Sequence, residues 1–111
     1  MKIIVTGGAG FIGSHTVVDL LENGFEPIIV DDFRNSKPFI LDNLKKILSR
    51  DFKSYDVDCG DVDKLSVVFK KEKPDGIIHF AADKAVNESV NNPLKYYHNN
   101  ITTLVNILKV L

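Results

Sequence analysis

Glycines at positions 7, 10 and 13 give the spacing G-x-x-G-x-x-G within Thr6-Gly7-Gly8-Ala9-Gly10-Phe11-Ile12-Gly13, and an acidic residue, Asp31, follows 18 residues after the last of them. In a loop between a strand and a helix, each glycine has its own task. Gly7 permits a sharp turn off the strand. Gly10 puts no side chain between a bound anion and the amides of the helix start. Gly13 lets the helix pack closely. A helix start carries unpaired N–H donors and a partial positive charge, a setting for a pyrophosphate. A carboxylate about 20 residues further on is where a ribose diol is held. The combination points to dinucleotide binding. A nucleotide-triphosphate loop is excluded, because Ser14 follows Gly13 and no Lys is present. The Asp31 carboxylate accepts from both ribose hydroxyls and repels a 2′-phosphate, and Asp32 adds negative charge. NAD is therefore expected rather than NADP. Arg34 pulls the other way, since an Arg near this point can neutralise such a phosphate.

These residues need a frame. Lys2 to Thr6 is a short apolar run ending at glycines, which predicts a buried strand. A helix is predicted from about Gly10 to Asn23, with Gly13, Val17, Leu20, Leu21 and Gly24 on one face. Pro27 to Asp31 reads as the second strand. Ser36 is the expected N-cap of the next helix, with Pro38 in its first turn and Ile40, Leu41, Leu44, Ile47 and Leu48 as its buried stripe. Phe52 to Asp58 reads as a third strand, Asp61 to Glu72 as a helix and Gly76 to Ala81 as a fourth strand. After a polar loop, Asn92 caps a long last helix with Pro93 at its first position. Strands alternating with helices mean βαβ units. The fold class is α/β, a doubly wound parallel sheet of Rossmann type with strand order 3-2-1-4.

With 111 residues, 44% of them hydrophobic, the chain fits one domain with a core. A net charge of −1 argues against a nucleic-acid partner. No apolar run approaches the ~20 residues of a membrane span. A single cysteine, Cys59, forms no internal disulfide, which fits a cytoplasmic setting. No His, Cys or carboxylate cluster has metal-ligand spacing. His79 reads as a hydrogen-bonded structural residue, His15 as packing or capping, and His98 as solvent-facing.

The glycine spacing and Thr6 to His15 resemble the extended, nucleotide-sugar branch of the short-chain dehydrogenase/reductase superfamily. His79-Phe80-Ala81-Ala82-Asp83-Lys84-Ala85-Val86-Asn87-Glu88-Ser89-Val90, followed by Pro93 to Asn100, is similar to the UDP-glucose 4-epimerase family within it. Sugar-nucleotide dehydratases of this branch typically lack a Lys at the place of Lys84. The resemblance implies that Gly7, Gly10, Phe11, Ile12 and Gly13 form the pyrophosphate loop. Asp31 and Asp32, with Asn35 and Ser36, would surround the adenine ribose. Asp58 by its side chain and Cys59 by its backbone N–H would meet the adenine edge. Asp61 is the alternative for that edge, or else a helix N-cap. Phe80, Ala81, Ala82 and Lys84 would line the path to the nicotinamide, and Asn99 would contribute from the last helix. Lys84 can also be read as an ordinary surface lysine. Asp83 stands where the family usually has an apolar residue, and Asn87 where it has glycine; both are expected near the nicotinamide.

The resemblance also implies a UDP-sugar substrate in the intact enzyme and a homodimer through the last helix. That helix has two apolar stripes, one of Tyr97, Ile101, Leu104, Leu108 and Leu111 and one of Tyr96, Thr103, Ile107 and Val110. One stripe is expected to face the sheet and the other a partner helix. The superfamily's Tyr-x-x-x-Lys pair is not here, because Tyr55, Tyr96 and Tyr97 are followed four residues later by Cys59, Asn100 and Ile101. No catalytic residue is therefore assigned. Residues 1–111 are expected to be the front part of a dinucleotide domain, ending inside an apolar helix, without the catalytic segment and the substrate domain. Another nucleotide-sugar enzyme of the branch, such as a dehydratase or uronate epimerase, and a stand-alone NAD-binding module are the alternatives.

Overall fold

The computed structural model describes residues 1–111. The strands are β1 (Lys2–Thr6), β2 (Glu26–Asp31), β3 (Lys53–Asp56) and β4 (Gly76–His79). Every pairing is parallel and the order is β3-β2-β1-β4, as the sequence predicts. The helices are α1 (Phe11–Glu22), α2 (Phe39–Leu48), α3 (Val62–Glu72), α4 (Val86–Asn91), α5 (Pro93–Tyr97) and α6 (Thr103–Val110). A π turn, His98–Thr102, joins α5 to α6.

The central strands are apolar without alternation because both of their faces are covered. Ile4, Ile28 and Val30 face Leu65, Val68 and Phe69 of α3 and Ile107 of α6. Val5 and Ile29, one position out of phase, face Val17 and Leu21 of α1 and Leu41 of α2. Because every pairing is parallel, all C-terminal strand ends lie along one edge, where β1 feeds the glycine loop and β2 ends at Asp31.

Several expectations change at element ends. The third and fourth strands are shorter than predicted, since Phe52, Val57, Asp58, Phe80 and Ala81 lie outside the ladder. Helix α2 begins at Phe39, with Pro38 at its N-cap. Ser36 does not cap it, and its hydroxyl donates to Asp31 instead. Within the predicted stripe of α2, Leu41 is buried but Ile47 is 77% exposed. The polar loop before Asn92 contains a helix, α4, with no buried residue. Asn92 precedes Pro93 as predicted but makes no side-chain capping bond.

The long last helix is broken in phase by the π turn. Thr103, Asn106 and Ile107 are buried on the sheet side, whereas Tyr97, Ile101, Leu104, Leu108 and Leu111 are exposed. No helix is long and apolar enough to cross a membrane.

Candidate functional site

The glycine loop folds as the spacing predicts. Gly7 has φ +69°, a region that L side chains rarely adopt, and a Cβ there would lie 2.8 Å from the amide nitrogen of Ala81. A Cβ on Gly13 would lie 2.1 Å from the carbonyl oxygen of Gly7. Position 13 therefore fixes the first turn of α1 directly against the loop backbone. Gly10 differs, because its Cβ would meet only Gly7 O, at 3.2 Å. The space beyond it is open. Gly10 is the N-cap of α1, and no side chain caps the helix. The first-turn amides, from Phe11, Ile12 and Gly13, thus remain available beside a cleft that those residues line.

That cleft has a volume of about 290 Å³ and runs along the C-terminal ends of the strands. The residues that the resemblance assigns to the cofactor line it: Gly7, Gly10, Phe11, Ile12 and Gly13 in the glycine loop and first turn of α1; Asp31, Asp32, Asn35 and Ser36 at and after the end of β2; Asp58 and Cys59 after β3; Phe80, Ala81, Ala82 and Lys84 after β4; and Asn99 from the π turn. The chemistry is that of a groove with hydrogen-bond donors at one helix end and acceptors at the ends of β2 and β3. The donor set and the side-chain-free wall at Gly10 fit a pyrophosphate.

Asp31 serves the loop as well as the groove. Its Oδ2 accepts from the Ala9 amide at 3.0 Å, and its Oδ1 accepts from the Phe33 amide at 2.8 Å and the Ser36 hydroxyl at 3.2 Å. An ionised carboxylate offers about four acceptor sites, so roughly one remains, on Oδ2. Asp61 takes the capping role that the sequence also offered for it. It is the N-cap of α3, accepting from the Lys64 amide at 3.1 Å, and Asp58 is the acid on the cleft wall. Burial, with Asp58 nearby, pushes the Cys59 thiol up to about 12. The thiol stays protonated and offers no nucleophile.

Asp83 is not on the cleft wall. It is 5% exposed and accepts from Asn35 Nδ2 at 3.2 Å, while its backbone pairs reciprocally with the side chain of Asn100. It thereby ties the post-β4 loop to the π turn. Asn87, on α4, is exposed. His79 Nδ1 lies 2.6 Å from Thr6 Oγ1, which also accepts from the Ala81 amide at 3.3 Å. With that amide as donor, the Thr6 hydroxyl can give its proton to Nδ1, and burial lowers the affinity of His79 for a second proton. His15 accordingly packs on Phe11, and His98 is exposed.

Sequence reasoning missed three contributors. Arg34, noted only for its charge, spans the cleft by bonding Asp32, Asp58 and Asn99. Thr103 lines it from the start of α6. Asn106 Nδ2 donates to the carbonyls of Cys59 and Gly60 at 2.9 and 3.1 Å, which holds the turn after β3 in place. Only the amide side chain of Asn106, on the sheet side of the last helix, could have signalled its part.

The chain is similar to known proteins throughout its length. The UDP-glucose 4-epimerase of Bacillus subtilis (strain 168) is 48% identical over 102 residues, covering 92% of this chain and 30% of that protein. UDP-glucose 4-epimerase 2 of Arabidopsis thaliana is 45% identical over 113 residues, covering 99% of this chain and 32% of that protein. Among solved structures, UDP-glucose 4-epimerase from Bifidobacterium longum in complex with NAD+ and UDP superposes with a TM-score of 0.96 at 43% identity, over 99% of this chain and 33% of that one. The chain thus spans about a third of the length of the curated relatives it matches. The sequence model of one family, GDP-mannose 4,6 dehydratase, matches residues 4–111. A parallel sheet in the order 3-2-1-4, a glycine loop running into α1 and a family match over nearly every residue lead to one conclusion: the chain belongs to the GDP-mannose 4,6 dehydratase family.

Proposed function

We propose that these residues are the NAD-binding portion of a UDP-glucose 4-epimerase, which interconverts UDP-galactose and UDP-glucose through a 4-keto sugar. The observation that carries the reading is the meeting of the uncapped start of α1, Asp31 and Asp58 in one cleft. The amides of α1 hold the pyrophosphate, with Gly10 leaving the approach open. Asp31 takes one ribose hydroxyl on its remaining acceptor site, and a second only by displacing the long Ser36 bond. Asp58 and the Cys59 amide meet the adenine edge. Phe80, Ala81 and Ala82 form the wall towards the nicotinamide, with Lys84 and Asn99 at its sides. Bound NAD supplies a reversible hydride acceptor for the sugar C4.

Two things support epimerase over dehydratase: the similarity to UDP-glucose 4-epimerases, and Lys84 at a place where the resemblance leads one to expect no Lys in a dehydratase. The family's own description is the specific ground for the rival, a nucleotide-sugar dehydratase. Titration with NAD and NADP tests the cofactor, and NADP bound as tightly as NAD would sink that part. Converting UDP-galactose in a protein that carries this chain tests the reaction; a 4-keto-6-deoxy product would establish the dehydratase instead.

The exposed stripe of Tyr97, Ile101, Leu104, Leu108 and Leu111 supports a homodimer through the last helix. Sedimentation of a Leu104→Glu/Leu108→Glu variant should show monomer where the unaltered protein shows dimer. The buried, protonated Cys59 fits a cytoplasmic setting.

A further inference from the structure

We propose that Arg34 is the stacking platform for the adenine ring and that Asp32 keeps it from acting as a clamp for a 2′-phosphate; this rests on the dinucleotide reading above. The guanidinium is held on its edges from three directions. Its Nε donates to Asp32 Oδ2 at 2.7 Å, one terminal nitrogen lies 2.6 Å from that oxygen and donates to Asp58 Oδ2 at 3.0 Å, and the other donates to Asn99 Oδ1 at 3.1 Å. These partners sit on the loop after β2, the turn after β3 and the π turn. The side chain is 39% exposed and lines the cleft.

Guanidinium N–H donors all lie in the plane of the group. Partners that occupy the edges leave the flat faces free. A base entering between Asp31 and Asp58 meets such a face and breaks none of the edge bonds, whereas swinging Arg34 out would break all of them. A 2′-phosphate needs two edge donors. Those edges are committed to Asp32 and Asp58, and both carboxylates repel a phosphate. Arg34 therefore contributes a cation–π contact to adenine and little to a 2′-phosphate.

The test is calorimetric titration of the full chain with NAD, NADP, ADP-ribose and nicotinamide mononucleotide. Arg34→Ala should weaken NAD and ADP-ribose by about 2- to 30-fold, the range of a cation–π contact. Arg34→Lys, which keeps a cation but loses the planar face and the edge bonds that fix it, should weaken them by less but measurably. Nicotinamide mononucleotide, which has no adenine, should bind as before. Asp32→Ser should free the edge that Asp32 holds, remove one repelling carboxylate, and raise NADP affinity relative to NAD by about tenfold or more, the worth of a charged hydrogen bond. Arg34→Lys keeps the charge, so it remains informative if the alanine variant fails to fold. Wild-type affinity in Arg34→Lys, or tighter NAD binding in Arg34→Ala, overturns the assignment. Failure of the unaltered protein to bind NAD overturns the dinucleotide reading itself, and this inference with it.

Discussion

The backbone amide of Ala9, inside the glycine loop, donates to Oδ2 of Asp31, at the end of β2, across 3.0 Å. The residue proposed to hold the ribose is thus also the peg that fastens the glycine loop to the neighbouring strand. Phe33, with φ +58°, turns its own amide back onto the other oxygen of the same carboxylate. Loop position and the proposed ribose contact thus share one side chain.

It follows that Asp31→Asn should not behave as a simple isostere. Whichever way the amide is turned, its NH2 group faces the amide of Ala9 or of Phe33, donor against donor. NAD binding should weaken by about 1–3 kcal/mol. The ligand-free protein should also melt at lower temperature. Calorimetry and thermal unfolding read the two effects separately. An unchanged melting temperature beside weakened binding would mean that the Ala9 bond does not hold the loop.

Gly10 and Gly13 should separate binding from folding. A methyl on Gly13 collides with the Gly7 carbonyl at 2.1 Å, backbone against backbone, and neither side yields cheaply. Gly13→Ala should cost about 3 kcal/mol of stability or more. Gly10→Ala meets only one atom, at 3.2 Å, so the fold should survive while the methyl stands where the pyrophosphate would lie. Urea unfolding and NAD titration of both variants check this. Equal stability losses in the two would contradict it.

Glu72 makes a pH-dependent contribution on the far side of the sheet. Its side chain is 1% exposed and takes Lys53 Nζ at 3.0 Å, Lys2 Nζ at 3.6 Å and the hydroxyl of Tyr55. The Tyr55 hydrogen bond and the lysines hold its carboxyl below the usual range. The same bond, with burial, pushes Tyr55 up to about 12. The folded carboxyl pKa is depressed, so the carboxylate's contribution is present above its unfolded pKa and fades as pH falls through the folded one. The tyrosine pKa is raised, so its contribution is complete below about 10 and is lost as pH climbs towards 12. Glu72→Ala should remove about 1–3 kcal/mol near neutrality and flatten both limbs of a stability–pH curve. Unchanged limbs in urea melts would show that other groups govern them.

What could be read from the residues divides along physical lines. The segment from β1 to β2 was legible because buried parallel strands write themselves as unbroken apolar runs, and because Gly7 and Gly13 meet constraints that other residues cannot. The cleft residues Asp31, Asp58 and Lys84 sit at or after the C-terminal ends of strands, which the βαβ rhythm places along one edge. Helix α4 was hidden because Val86 and Val90, its apolar residues, are each 74% exposed and record no buried face. The π turn shifts the phase of the last helix without altering composition. Ser36 has the chemistry of a cap but is taken by Asp31. Arg34 was the hardest, since its partners lie 2, 24 and 65 positions away and no spacing rule joins them.

The 111 residues alone are expected not to epimerise a nucleotide sugar. Removing the proton of a C4 hydroxyl requires a base within ~2.6–3.2 Å, tuned towards neutral pH. A tyrosine reaches that range from its ordinary value near ~10 only with a cation beside it. Here the shifts run the wrong way. Tyr55 is pushed up to about 12 by its bond to Glu72. Tyr96 is raised by burial and by its bond to Glu88. Tyr97, 65% exposed, has Ile101 where the partner lysine would stand. His79 is engaged by Thr6 and does not line the cleft. The groove is expected to hold a hydride acceptor, but neither these tyrosines nor His79 is placed to take the proton, and positioning alone can supply several kcal/mol of barrier reduction. The measurement is conversion of UDP-galactose by the purified 111-residue polypeptide with added NAD, with binding of NAD verified in the same preparation. Binding without turnover is the expected result. Turnover matching that of a full-length UDP-glucose 4-epimerase would mean that a base lies among these residues after all, with Lys84 on the cleft wall the first to be replaced in the search for it.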